Sequence, residues 1–174
     1  MSQLKIAVHE GDHAQGPASA PVTLVEYGDF ECPTCGQAYP IVKHVQKHFG
    51  DQLRFVFRQF PLEQHPMAEP AAEASEFAAA HGKFWPMHDG LYENQEELSP
   101  ELFASLAKEL HLNPKALEEA LAEEEFGERI AADLEGGEAS GVAGTPTFYI
   151  NGRQHQGSFD AATLIRSIEA ALKR

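Results

Sequence analysis

The chain has 174 residues, 43% hydrophobic and 23% charged, and is long enough to bury a core without a disulfide or metal staple. Thirteen Lys and Arg against 27 Asp and Glu leave a net charge of −14, which disfavours nucleic-acid phosphates and anionic membrane surfaces as partners. Two cysteines, Cys32 and Cys35, are too few for a disulfide scaffold.

Residues 1–15 contain Ile6-Ala7-Val8 as their only apolar stretch, shorter than the about 7–15 residues of a secretory leader. No window reaches the roughly 18 apolar residues of a membrane span. A cytoplasmic protein is expected if Met1 is the native start, and a periplasmic or extracytoplasmic one if a leader was removed. The first 15 residues, with His9 and His13, are expected to be mobile.

Val22-Thr23-Leu24-Val25-Glu26-Tyr27 predicts a buried strand after the Gly16-Pro17 and Pro21 punctuation. Over 36–49, Ala38, Ile41, Val42, Val45 and Phe49 recur at helical spacing, with Gly50 as the stop. Residues 53–58 predict a second strand, closed by Pro61. Strand, helix, strand implies a parallel pair with a crossover helix.

The middle of the chain is rich in Ala, Glu and Leu and predicts helices at 68–81, 84–93, 100–110, 114–122 and 126–139. Ser99-Pro100 and Asn113-Pro114 each set a capping side chain before a first-turn proline. The acidic run over 118–128 is expected to be a solvated helix face. Strand character returns at 147–150, Asn151-Gly152 signals a hairpin, and 153–156 form the returning strand. A last helix starts near Asp160 and aligns Leu164, Ile165, Ile168 and Leu172. The absence of repeats and low-complexity linkers favours a single domain over 1–174. Its α/β core covers about 20–64 and 141–174, and a helical insertion covers about 65–140.

Cys-x-x-Cys serves either metal binding or reversible disulfide exchange. Zinc would need two further ligands, and the nearest are His44 and His48. On a continuous helix His44 lies about 13 Å beyond Cys35, too far to share an ion. No metal is therefore expected. Exchange requires a solvent-reachable thiol with a favoured thiolate, and the junction of strand and helix supplies helix-dipole stabilisation at Cys32. Pro33 suits the first turn, where its missing N–H wastes no donor. Cys35, one turn further in, can close a disulfide with Cys32. Cys32 is thus the expected nucleophile and Cys35 the resolving thiol.

Glu26-Tyr27-Gly28-Asp29-Phe30-Glu31-Cys32-Pro33-Thr34-Cys35, followed much later by Gly144-Thr145-Pro146-Thr147-Phe148, resembles the DsbA-like branch of the thioredoxin superfamily. The likeness extends over nearly the whole chain, including Asp12-His13, Gly16-Pro17 and Ala20-Pro21-Val22-Thr23-Leu24. It implies a thioredoxin-like α/β fold with an α-helical insertion. It implies that Thr145-Pro146 is the cis-proline pair facing the dithiol and binding substrate backbone. It further implies that Glu26 is a buried carboxylate able to move the Cys35 proton, and that Pro40 kinks the active-site helix. Periplasmic oxidases of the family typically carry Pro-His between the cysteines, where this chain has Pro33-Thr34. Threonine offers a hydroxyl in place of a positive charge, so a strongly oxidising potential is not implied.

The resulting expectation is a thiol–disulfide oxidoreductase acting on protein disulfides or dithiols, with glutathione or another small thiol as redox partner and no dissociable cofactor. Residues 143–147 would pair with an extended substrate segment. Phe30, Phe84 and Trp85 are expected in the core. The alternative is a non-catalytic redox-sensing or binding module on the same fold. Direction of exchange, substrate and oligomeric state are left open.

Overall fold

The computed structural model describes residues 2–174. Its strands are β1 (His13–Gln15), β2 (Val22–Gly28), β3 (Leu53–Gln59), β4 (Thr147–Ile150) and β5 (Arg153–Gln154), joined in one sheet in the order β1-β3-β2-β4-β5. Helix α1 (Pro33–Phe49) lies between β2 and β3, and α2 (Ala68–Ala80), α3 (Phe84–Glu93), α4 (Pro100–Glu109), α5 (Pro114–Ala122) and α6 (Gly127–Ala139) between β3 and β4. Helix α7 (Ala161–Leu172) ends the chain. Two units result: residues 2–28, 37–58 and 135–174 hold the sheet, and residues 29–36 and 59–134 hold most of the helices.

In the sheet unit, β2 reads as a nearly unbroken apolar run because Val22, Leu24, Val25 and Tyr27 are all buried. It pairs antiparallel with β4, setting Leu24 opposite Ile150, Glu26 opposite Phe148 and Tyr27 opposite Thr147. Asn151 and Gly152 both adopt positive φ, the two-residue geometry that returns the chain into β5. The returning strand stops at Gln154, short of 156, because the His155 ring bonds the Ser158 carbonyl and Gly157 turns the backbone with φ 106°. Helix α7 packs on β2 and β4 through Leu164 and Ile168, and Asp160 caps it by accepting from Thr163 N–H at 2.9 Å.

The N-terminal segment departs from the expectation of mobility. His13–Gln15 pairs antiparallel with β3, and the Arg58 guanidinium gathers the preceding turn. It donates to both Asp12 carboxylate oxygens at 2.9 Å, to the Ile6 carbonyl at 2.8 Å and to the Tyr27 hydroxyl at 2.9 Å. A buried guanidinium demands this many acceptors, and no local spacing in the sequence signals that the N-terminus supplies them.

In the helical unit, α2 packs against α3, α4 and α5. Its buried Ala68, Ala71, Ala72, Ala74 and Ala78 let three neighbours approach closely. Ser99 accepts from Leu102 N–H at 3.1 Å, and Asn113 accepts from Lys115 and Ala116 N–H, so both predicted caps form. The acidic run is not one helix face. Helix α5 ends at Ala122, Glu124 turns with φ 50°, and α6 begins at Gly127, while Glu118, Glu119, Glu123, Glu125 and Glu128 are exposed. Helix α1 starts at Pro33, three residues before the apolar periodicity, because Gly36 N–H bonds the Cys32 carbonyl and closes the first turn.

Candidate active site

Cys32, Pro33, Thr34 and Cys35 lie together in the helical unit at the start of α1. Both cysteines are thiols. Cys32 immediately precedes the first helical residue, where the positive end of the helix dipole favours negative charge. Both cysteines are buried, Cys35 completely and Cys32 with 6% of its surface exposed. The Thr34 hydroxyl lies 3.0 Å from the Cys32 Sγ and can donate to it when the sulfur is ionised. Pro33 and Thr34 are themselves exposed.

Asp29 organises the backbone that leads into this turn. Its Oδ1 accepts from Glu31 N–H at 2.7 Å and Cys32 N–H at 3.1 Å, an Asx turn that fixes the Cys32 main chain. Its Oδ2 accepts from Leu62 N–H at 2.9 Å and bonds His65 Nδ1 at 2.7 Å. The hydrogen bond that the His65 imidazole donates to Asp29 holds it above its usual pKa against modest burial, and the charges of Asp29, Cys32 and Glu31 act in the same direction. On the other side, Gln95 donates to the carbonyls of Phe30 at 2.9 Å and Cys32 at 2.8 Å. A Cβ at Gly36 would collide with that carboxamide, so glycine is what admits Gln95.

Phe30 is buried against Tyr92 and His88, with ring centroids 5.0 and 5.7 Å away. Phe84 is buried as well, whereas Trp85 is only half-buried, edge-on to Phe84 and His88.

The other predicted site residues belong to the sheet unit. Glu26 is 3% exposed near the C-terminal end of β2. Gly28 leaves room chiefly for the Phe57 ring, since an added Cβ would lie 2.5 Å from Phe57 Cε2, and it would also lie 3.0 Å from Glu26 Oε2. The Thr145–Pro146 peptide is cis and leads directly into β4, and Thr147 Oγ1 donates to the Gly144 carbonyl at 2.7 Å. Pairing of Tyr27 with Thr147 brings Glu26 and this loop to one end of the β2–β4 ladder. Pro40 lies inside α1.

Sequence reading had missed Asp29, His65 and Gln95 as functional residues. Asp29 had a usable signal, a capping-type side chain two and three residues before the amides it holds. His65 and Gln95 had none, because each reaches the dithiol loop from 30 or more residues away.

A helix-initiating dithiol after a sheet strand, with a block of helices inserted before the last hairpin, defines a thiol–disulfide domain of the thioredoxin class. The family model described as Thioredoxin (Thioredoxin_4) matches residues 8–170, and the chain belongs to that family. Among solved structures it is similar to oxidised BdbD from Bacillus subtilis, at 30% identity and TM-score 0.89, covering 99% of this chain and 97% of that one. Wolbachia pipientis alpha-DsbA1 shares the fold, with TM-score 0.83 at 16% identity over 95% of this chain and 93% of that one. The chain is accordingly a DsbA-like member of the superfamily.

Among curated proteins it is 47% identical over 161 residues to the Na(+)/H(+) antiporter NhaA 1 of Salinispora arenicola (strain CNS-205), covering 92% of this chain and 24% of the antiporter. It is 42% identical over 162 residues to the Na(+)/H(+) antiporter NhaA of Herminiimonas arsenicoxydans, covering 93% and 26%. The chain thus spans about a quarter of the length of these curated relatives. Among the described residues, no helix is long and apolar enough to cross a membrane.

Proposed function

We propose that the chain exchanges thiols and disulfides with protein or small-thiol substrates through Cys32 and Cys35. The Cys32 thiolate attacks a substrate disulfide, one substrate sulfur leaves as thiolate, and a mixed disulfide forms. The Cys35 thiolate then attacks Cys32 Sγ, releasing the second substrate thiolate. Two electrons pass to the substrate, and a Cys32–Cys35 disulfide remains. The reverse sequence oxidises a dithiol. The observation that carries this reading is the asymmetry of the pair: Cys32, just ahead of the helix start, keeps a little exposed surface, and Cys35, a single turn away, keeps none.

In this proposal Glu26 carries the Cys35 proton, for which its burial is a supporting condition. Thr145 and Pro146, with the backbone of 143–147, receive an extended substrate segment. The proposed location is the cytosol, where glutathione reduces the pair between turnovers. Fractionation of cells expressing the natural protein tests that part.

The purified protein should catalyse reduction of insulin by dithiothreitol, Cys32→Ser should abolish it, and Cys35→Ser should accumulate disulfide-linked partners. Absence of turnover together with absence of exchange with glutathione refutes the enzymatic reading.

A second reading is favoured by the curated relatives, in which a segment like this one is about a quarter of proteins named as antiporters. There the dithiol would report redox state to an attached or bound partner without turnover. It predicts partner binding that depends on oxidation, and an inert response to insulin.

A further inference from the structure

Pro33-Thr34 brings no charge to the dithiol, while Asp29 and Glu31 stand just ahead of Cys32. Acidic residues this close in the chain disfavour a thiolate, and a nearby cation would offset them. The loop after β3 carries one candidate. His65 Nδ1 lies 2.7 Å from Asp29 Oδ2, and the other oxygen of the same carboxylate holds Cys32 N–H at 3.1 Å. One side chain therefore anchors both the nucleophile's backbone and the imidazole. Asp29 is fully buried and held by four donors, so its position is fixed, while the His65 side chain keeps 20% of its surface exposed.

We propose that His65 is an electrostatic positioning residue for Cys32: anchored by Asp29, its imidazolium offsets the local negative charge and favours the Cys32 thiolate. A charge absent from the dithiol motif is thereby supplied from a distant loop. The charged groups acting on His65 are Asp29, Cys32 and Glu31, all from the segment that leads into α1. Because Cys32 favours the protonated imidazole, the protonated imidazole favours ionised Cys32 to the same extent. As pH rises through the raised His65 pKa the cation is lost, so its effect on Cys32 is greatest below pH 6.5 and fades above the raised value. The consequence for catalysis rests on the exchange reading above, but the electrostatic coupling itself does not.

The test uses the whole chain with Cys35→Ser, leaving one thiol. The rate of alkylation by iodoacetamide is followed from pH 5 to 9, with His65 unchanged, as His65→Gln, and as His65→Lys. Glutamine retains a donor for Asp29 and removes the charge; lysine restores a charge. At pH 6, His65→Gln should slow alkylation by about threefold to tenfold and move the profile to higher pH, as expected for one partly screened charge. His65→Lys should recover most of the rate. In NMR of labelled histidine, Cys32→Ser should lower the titration midpoint of His65.

Superimposable profiles for His65 and Gln overturn the proposal. So does a lysine variant as slow as glutamine, which would make the effect structural. Insulin turnover separates the two ideas. An inactive native protein with the alkylation shift intact sinks only the oxidoreductase reading. An active one with flat profiles sinks only the role of His65.

Discussion

Replacing Asp29 with alanine removes the acceptor for four donors at once: Glu31, Cys32 and Leu62 N–H and His65 Nδ1. The Cys32 amide is buried and finds only the more distant Asp29 carbonyl, at 3.2 Å, as a substitute. It is therefore not orphaned, and loses the side-chain half of a shared bond, about 0.5–1.5 kcal/mol. The three part-buried donors can turn to water and lose about 0.5–1.5 kcal/mol each. With incomplete additivity among neighbours, Asp29→Ala should lose on the order of 3–5 kcal/mol, and a chain of this size should melt about 10 °C lower. Asp29→Asn keeps one oxygen but turns N–H groups toward Leu62 and His65, so it should fall between.

The loss should also depend on pH. The folded-state pKa of His65 lies above its ordinary 6.5, chiefly through the Asp29 hydrogen bond. Its stabilisation is therefore full below pH 6.5 and disappears as pH rises through the raised value. Urea unfolding of both proteins by circular dichroism should give the larger difference at pH 6 and a smaller one at pH 9, where the amide donors still set a floor. A difference under about 1 kcal/mol, or one that grows with pH, refutes the picture of Asp29 as the hub of this turn.

Asp12→Ala should strand the buried Arg58 guanidinium and cost about 3–5 kcal/mol in thermal or urea unfolding. Burial alone would raise the Asp12 carboxyl, but Arg58 and the His9 amide hold it below 3.8. The gap between wild type and variant should therefore be full above pH 3.8 and close as acid takes the pH through the lower folded value; a gap that persists in acid would contradict this. Gly36→Ala should push the Gln95 carboxamide away from the Phe30 and Cys32 carbonyls, lowering stability by about 1–3 kcal/mol, and a second change, Gln95→Ala, should then add little. Tyr149→Phe should cost about 1 kcal/mol, because the Ser140 carbonyl loses a buried donor at 2.7 Å; an unchanged melting temperature would argue that water replaces it.

The helices of the middle segment were legible almost residue by residue. Their signals are local: Ser99 and Asn113 cap their own first turns, and prolines occupy the next position. The dithiol was legible for the same reason, since Cys32 and Cys35 are one helical turn apart and Cys32 immediately precedes the helix. The ordered N-terminus had no such signal. His13–Gln15 becomes a strand because β3 offers an edge, and Arg58 draws in the turn before it.

Periodicity, caps and the spacing of two thiols were thus enough to place most of the elements and to single out the dithiol, because each depends on side chains within a few positions of one another, and the fold class followed from the resemblance those motifs carry. The charge environment of Cys32 could be decided only by the tertiary structure. His65 and Gln95 reach it across 33 and 63 residues of chain, and the residue numbers alone place neither beside it. Electrostatic forces and hydrogen bonds depend on distance in space, and that distance exists only after the chain has folded.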